Sequence, residues 1–245
     1  MKVSVVIPAY NEEKYIVDCL KALSNQTVAP DEVIVVDNNS TDKTASLARQ
    51  AGAKVITVLE PGITPARTAG FNAAKYPIIA RCDADSRPFP DWIARIKIVM
   101  SDPELAGITG TNRFYGLGRF KTSFYSWMFT VVYFGGNRLL LGHEAFYGSN
   151  MAIRRSIWHK ISKQTCSDDR IVHEDIDLAI HIVPYGKIVY QKGLLVGCSP
   201  RALHVSIGTI SERLRKWPRT RLVHTRFKAL VKPGKKPSST AQNLL

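Results

Sequence analysis

The stretch Ile78-Ile79-Ala80-Arg81-Cys82-Asp83-Ala84-Asp85-Ser86 decides how the rest of the chain is read. An apolar run with the character of a buried strand ends in two carboxylates spaced i, i+2. In extended backbone that spacing points both side chains to the same side. Two hard oxygen ligands there suit Mg²⁺ or Mn²⁺, which take few protein carboxylates and leave room for substrate phosphates. The same letters also describe a strand running into an ordinary polar turn, because Asp and Ser are common turn residues.

Upstream, Val3-Ser4-Val5-Val6-Ile7 is a β-branched run closed by Pro8 and reads as a buried strand. Asn11-Glu12-Glu13 opens a helical pattern carrying Ile16, Cys19, Leu20 and Leu23. Glu32-Val33-Ile34-Val35-Val36 is a second strand, ending at Asp37-Asn38-Asn39-Ser40. Ser40-Thr41-Asp42 supplies capping chemistry for a helix that Gly52 stops. A third strand is expected over 54–59 and a helix over 64–75, before the strand that leads to Asp83. Continuous apolar strands alternating with helices signal a parallel sheet covered on both faces. Ligands of such sheets sit beyond the carboxyl ends of the strands, so Tyr10, Asp37 and Asp83 should converge.

The residues now carry a pattern. Ser4-Val5-Val6-Ile7-Pro8-Ala9-Tyr10-Asn11-Glu12, Val35-Val36-Asp37-Asn38-Asn39-Ser40-Thr41-Asp42, Ala66-Arg67-Thr68-Ala69-Gly70 and Asp83-Ala84-Asp85 resemble, in order, the motifs of family-2 glycosyltransferases. The likeness continues more loosely through residues 147–155 and His173-Glu174-Asp175. It implies an inverting enzyme with a single GT-A (nucleotide-diphospho-sugar transferase) fold, an α/β architecture with a mostly parallel central sheet and helices on both faces. Pro8, Ala9, Tyr10 and Glu12 would then line the base and ribose of a UDP- or GDP-sugar, and Asp37 would accept a hydrogen bond from the base. Arg67 would stand near the nucleotide, although the usual Arg-Asn-x-Gly reads Arg-Thr-Ala-Gly here. Asp83 and Asp85 would hold Mn²⁺ or Mg²⁺ and the donor diphosphate. Of the downstream pair Glu174 and Asp175, the resemblance makes Asp175 the base that takes the proton of the acceptor hydroxyl.

The physics agrees with these roles. Negative charge grows on the departing phosphate, and a bound cation stabilises it where it develops. A helix beginning near Glu174 puts Asp175 in its first turn, where the dipole favours an ionised carboxylate. Asp177 faces elsewhere, as a cap or as the partner of His181 at i+4. His204 follows two expected edge strands, 187–190 and 195–199. Some GT-A enzymes place a histidine there as a third metal ligand or a diphosphate contact, and a lone histidine also serves structure.

The totals set bounds. At 245 residues the chain is long enough for one large α/β domain. We divide it into a nucleotide-sugar half (1–112), an acceptor half (113–210) and a basic, partly disordered C-terminal segment (211–245). Its 34 basic against 20 acidic residues leave +14, which favours anionic partners. Cys19, Cys82, Cys166 and Cys198 form no C-x-x-C pair, against a zinc ribbon or disulfide framework and in favour of a reducing compartment. The apolar run at the N-terminus is too short for a signal peptide, and none is long enough to cross a bilayer.

A helix is expected over 90–100, a short strand over 105–111 and a helix over 155–161. From 120 to 134 the chain is apolar nearly all round and rich in aromatics, with Arg119, Lys121 and Arg138 at its flanks. This suits a helix in a membrane interface or a core helix beneath the acceptor site. Arg213-Leu214-Arg215-Lys216-Trp217 reads as a basic segment that closes over a diphosphate or rests on anionic lipid. The expected partners are a nucleotide sugar, a glycan or lipid-linked acceptor of cell-envelope type and an anionic membrane surface; nucleic acid is not expected. Placement is expected in the cytoplasm, on the inner face of the membrane if peripheral. Two other classes fit less well. A haloacid-dehalogenase-like phosphatase begins its fold with the Asp-x-Asp motif, whereas strand–helix units precede Asp83 here. A non-catalytic basic binder of membrane or nucleic acid fits the tail, but the chain has no zinc, RNP or Walker-type signature.

Overall fold

The computed structural model describes residues 1–203, apart from 167, 169 and 170, together with 216 and 220. The four apolar runs of the N-terminal half form parallel strands, β1 (Val3–Ala9), β2 (Glu32–Asp37), β3 (Lys54–Thr57) and β4 (Ile78–Arg81). Between them run α1 (Ile16–Ser24), α2 (Thr44–Gln50) and α3 (Ile63–Ala73). Alternation along each strand builds two apolar layers. Val3, Val5 and Ile7 pack with Ile16, Leu20 and Leu23, and with Trp92, Ile93 and Ile96 of α4 (Trp92–Val99). On the opposite face Val6, Ile34 and Val36 meet Ala66 and Phe71, with Trp158 of α7 (Arg155–Ile161) and Leu178 of α8 (Glu174–Ile182).

Among the described residues the sheet has eight strands in the order β3-β2-β1-β4-β7-β6-β8-β5, completed by β5 (Arg87–Pro88), β6 (Leu105–Phe114), β7 (Met151–Arg154) and β8 (Lys187–Cys198). β7 runs against both β4 and β6, and β5 runs against β8; the other pairings are parallel. This is the expected α/β sheet, mostly parallel and covered on both faces.

Several local expectations change. The two edge strands read from 187–199 are one continuous strand, β8, that lies inside the sheet between β6 and β5. β6 extends beyond residue 111 to Phe114, with register shifts at Leu105/Gly107 and Thr109/Thr111. Residues 11–15 form a turn, so the first helix starts only at Ile16. Pro90 lies before α4, and its carbonyl accepts from Thr27 N–H (2.8 Å). The aromatic stretch becomes α5 (Arg119–Phe129), a π-helical turn (Thr130–Gly135) and α6 (Gly136–Leu141). No residue of α5 is buried, so this part of the stretch is not a core helix.

Gly70 sets how closely α3 approaches the sheet: a Cβ there would stand 2.3 Å from Val6 Cγ1 and 2.8 Å from Val36 Cγ2. Gly70→Val should therefore lower stability by roughly 2–3 kcal/mol through overpacking, read as a lower midpoint in urea denaturation.

Candidate functional site

The loops after β1 and β2 fold into each other. Asn11 and Asn39 sit at φ 53° and 62°, in the left-handed region that Asn tolerates better than most residues. Asn11 N–H donates to Ser40 Oγ (3.0 Å), and Asn11 Oδ1 accepts from Thr41 N–H (2.8 Å). Glu12 N–H donates to Thr44 Oγ1 (2.7 Å) and Glu13 N–H to the Asp42 carboxylate (3.1 Å). The polar run 40–42 thus anchors the neighbouring loop as well as the start of α2, where Asp42 also accepts from Thr44 N–H.

These loops, with the end of β4, wall a cleft of about 750 Å³. Pro8, Ala9, Tyr10 and Glu12 line it, facing Asn38, Asn39, Arg81, Asp83, Asp85, Ser149 and Arg201. Tyr10 is 59% exposed, so its ring is open to a planar ligand. Asp37 is set behind this wall, buried, and accepts from Ser40 N–H (3.3 Å). Asn38 bonds the carbonyls of Val58 and Glu60, tying the loop before α3 to the cleft.

Arg81, at the last position of β4, is 3% exposed. Its Nη1 donates to Glu174 Oε1 and, at 3.5 Å, to Asp175 Oδ1, while Nη2 reaches Asp83 Oδ1 at 3.4 Å. Arg67 is fully buried away from the cleft wall. Its Nη1 donates to Glu174 Oε2 (2.7 Å), and its guanidinium lies 5.7 Å from the Trp158 ring centre. Glu174 is thus clamped between two guanidiniums. Burial alone would push its carboxyl up, but Arg81 and then Arg67 hold it well below the usual carboxylate range. Asp175 goes the other way: burial first, then the charge of Glu174, push it well up against the pull of Arg81. Gly148 N–H donates to Asp175 Oδ2 (3.0 Å), and a Cβ on Gly148 would stand 2.7 Å from Oδ1 and 2.8 Å from Arg81 Nη2. Only a residue without a side chain lets the Asp175 carboxylate sit against that backbone.

On the cleft wall, Ser149 Oγ donates to Asp83 Oδ2. Arg201 joins Glu12 and Asp85: Nη2 donates to Glu12 Oε1 and Nε to Asp85 Oδ2 (2.7 Å), with the guanidinium 4.7 Å from the Tyr15 ring centre. Burial, then the charge of Asp83, push the Asp85 carboxyl up in spite of Arg201. Glu12 Oε2 is buried without a partner among the described residues. Cys198 also lines the cleft, but burial pushes its thiol up to about 12, so it is neutral and a poor nucleophile.

These residues fit a divalent cation. Asp83 and Asp85 offer hard oxygens from one loop, and an added positive charge would relieve the repulsion that raises Asp85. Among the described residues no three His, Cys, Asp or Glu side chains gather as a metal cage. Two carboxylates suit an ion whose shell is completed by ligand phosphates. His204 lies outside the described residues, as does the basic 213–217 run apart from Lys216. Asp177 does meet His181 (3.5 Å) and also accepts from Cys166 N–H (3.0 Å), both away from the cleft.

Arg81, Ser149 and Arg201 were not singled out from the sequence. In the sequence Arg81 shows only as a charge at the end of an apolar run. Among the sequence-derived residues, Pro8, Ala9, Tyr10, Glu12, Asp83 and Asp85 share the cleft wall. Asp37, Arg67, Glu174 and Asp175 stand in the layer behind it.

Residues 4–162 match the family "Glycosyl transferase family 2". The chain is 31% identical over 205 residues to the probable glycosyltransferase YdaM of Bacillus subtilis, covering 76% of this chain and 47% of that protein. It is 36% identical over 123 residues to an undecaprenyl-phosphate 4-deoxy-4-formamido-L-arabinose transferase of Serratia proteamaculans, covering 46% of this chain and 38% of the other. The chain thus spans less than half the length of either relative. In structure it resembles a mannosyltransferase, PcManGT of Pyrobaculum calidifontis, solved with GDP-Man and Mn²⁺: TM-score 0.66 at 22% identity, over 96% of this chain and 66% of that one. That likeness shows the GT-A fold.

Replacing Glu174 by Gln leaves two buried guanidiniums short of their counter-charge. The expected loss is about 3 kcal/mol, read from chemical denaturation.

Proposed function

The chain belongs to glycosyl transferase family 2, and on that premise we propose that it moves a sugar from a UDP- or GDP-linked donor to an acceptor hydroxyl, with inversion and with Mn²⁺ or Mg²⁺ as cofactor. The observation that carries the reading is the Arg81 guanidinium, which touches both Asp83 on the cleft wall and the Glu174–Asp175 pair behind it. In this reading Arg81 would hold the donor site and the proton acceptor in a fixed relation to each other.

In this reading Pro8, Ala9 and Tyr10 receive the nucleoside, with Tyr10 stacking on the base and Asp37 accepting a hydrogen bond from it. Asp83 and Asp85 hold the cation and the diphosphate, and Ser149 keeps the Asp83 carboxylate turned into the cleft. A cation held by Asp83 and Asp85 would supply positive charge against the phosphate oxygens as they become more negative. Arg201, which neutralises Glu12 and Asp85 at rest, gives up Asp85 and turns to the diphosphate. The acceptor hydroxyl gives its proton to Asp175 while its oxygen bonds the anomeric carbon; the bond from that carbon to the diphosphate breaks on the far side, and the nucleoside diphosphate leaves with the electron pair. Attack opposite the leaving group inverts the configuration. Glu174 positions Asp175 and does not itself take the proton, because its two guanidiniums keep it ionised. Arg67 acts through Glu174. His204 is assigned as a further ligand of the cation or diphosphate.

For the domain plan we assign 1–112 to donor binding, 113–210 to acceptor binding and 211–245 to contact with an anionic surface. The Serratia relative is named for transfer to a lipid phosphate, which supports a glycan or lipid-linked acceptor of cell-envelope type met at the inner face of the membrane. Among the described residues no helix is long and apolar enough to cross a membrane.

Thermal shift with UDP, GDP and TDP tests the donor site. One nucleotide should stabilise the protein only when Mn²⁺ is present, and Asp83→Asn should abolish the shift; equal shifts with and without metal would count against the assignment. Asp175→Asn should retain the metal-dependent shift and lose turnover by about a hundredfold or more. The base form of Asp175 is its anion, and burial with the Glu174 charge raises its pKa. The kcat/KM should therefore fall on acidification with a midpoint above the ordinary carboxylate range, in a pH series on the wild type.

A further inference from the structure

The helical segment from α5 through α6 has apolar side chains on both sides: Phe134 and Leu141 are buried against the protein, and a second apolar set faces solvent. Towards the protein it also turns polar groups. Thr130 Oγ1 lies 2.8 Å from Thr111 Oγ1, Tyr133 O–H donates to the Phe146 carbonyl (2.6 Å), and Asn137 is fully buried with its amide on the Tyr133 carbonyl (2.7 Å). Towards solvent it turns Phe120, Phe124, Trp127, Val131, Val132 and Leu139, with Phe120 at 94%, Trp127 at 62% and Leu139 at 87% exposure. A water-facing helix keeps that second side polar, and a continuous apolar face of this kind marks an interaction surface.

Charge identifies what the surface meets. From Leu105 to His143 the chain has no Asp or Glu, yet it has Arg113, Arg119, Lys121 and Arg138, all four exposed. Arg138 pairs with Glu144 at 3.5 Å, with its side chain still 74% exposed. Large aromatic and aliphatic side chains ringed by cations, on a helix too polar to span, match the interface of an anionic bilayer. We propose that this face docks on a membrane bearing anionic headgroups, with the helix lying in the plane of the surface.

The helix is coupled to the cleft. Phe129 on its inner side lies 4.7 Å from the Tyr147 ring, and Tyr147 lines the cleft beside Ser149. Docking would therefore present the cleft to an acceptor carried on lipid. That consequence rests on the glycosyl-transfer reading, whereas the docking surface itself does not.

The test is flotation of the full chain with vesicles of phosphatidylcholine alone or with added phosphatidylglycerol, comparing wild type with the double variant Phe124→Ser, Trp127→Ser. Both side chains are exposed, so the variant should fold, which its urea midpoint checks. Wild type should float with the phosphatidylglycerol vesicles, and the variant should partition about tenfold less or worse, with its Mn²⁺–nucleotide thermal shift unchanged. Equal flotation of the two proteins would assign binding to the basic C-terminal residues and overturn the proposal. So would no flotation of wild type, or a concentration-dependent dimer that the variant abolishes. Because no sugar transfer is measured, loss of vesicle binding and loss of the nucleotide response report separately on the docking face and on the donor site.

Discussion

One buried guanidinium organises this protein. Arg81 sits where β4 leaves the sheet and meets three carboxylates, Asp83 two residues on and Glu174 and Asp175 from the start of α8. Taking such a cation out of water is costly unless it is closely paired. Once the pairing is made, it joins two parts of the chain more than ninety residues apart. Arg67 completes the group from α3, holding the other oxygen of Glu174. The neighbouring carboxylates Glu174 and Asp175 consequently titrate in opposite directions. Two acids whose surroundings separate them in this way can be given different roles.

Much of this was legible in the chain, because local patterns carry it. Continuous β-branched runs gave β1, β2 and β4, and the residues that follow each of them do meet at one cleft. The Asp-x-Asp spacing put both carboxylates on its wall, and α8 begins at Glu174 as its first-turn acids suggested. The remainder depends on partners distant in sequence. Arg81 was an unexplained charge in a strand, since nothing local names Glu174 as its partner. Arg201 reaches Asp85 across 116 residues. Arg67 was expected near a ligand, yet burial beside Trp158 gives it to a carboxylate. Nothing local ties Gly148 to Asp175, whose carboxylate its missing side chain admits.

The sheet shows the same division. Alternating strands and helices announced parallel pairing in the first half, where each crossover is local. The order of β7, β6 and β8 is set by long-range contacts, so an antiparallel strand in the centre and the single long β8 left no local trace. The aromatic stretch at 120–134 was legible as unusual but not as exposed or buried. That depended on which side found hydrogen-bonding partners, and the partners are Thr111 and the Phe146 carbonyl.

The most direct test of Arg81 as the link is a double-mutant cycle on turnover with saturating donor and Mn²⁺, combining Arg81→Lys with Asp175→Asn. Lys cannot reach several carboxylates at once in the planar geometry of a guanidinium. If Arg81 acts by placing Asp175, the double variant should turn over no more slowly than Asp175→Asn alone. Losses that simply multiply would mean that the two residues serve the reaction independently, and would contradict the account.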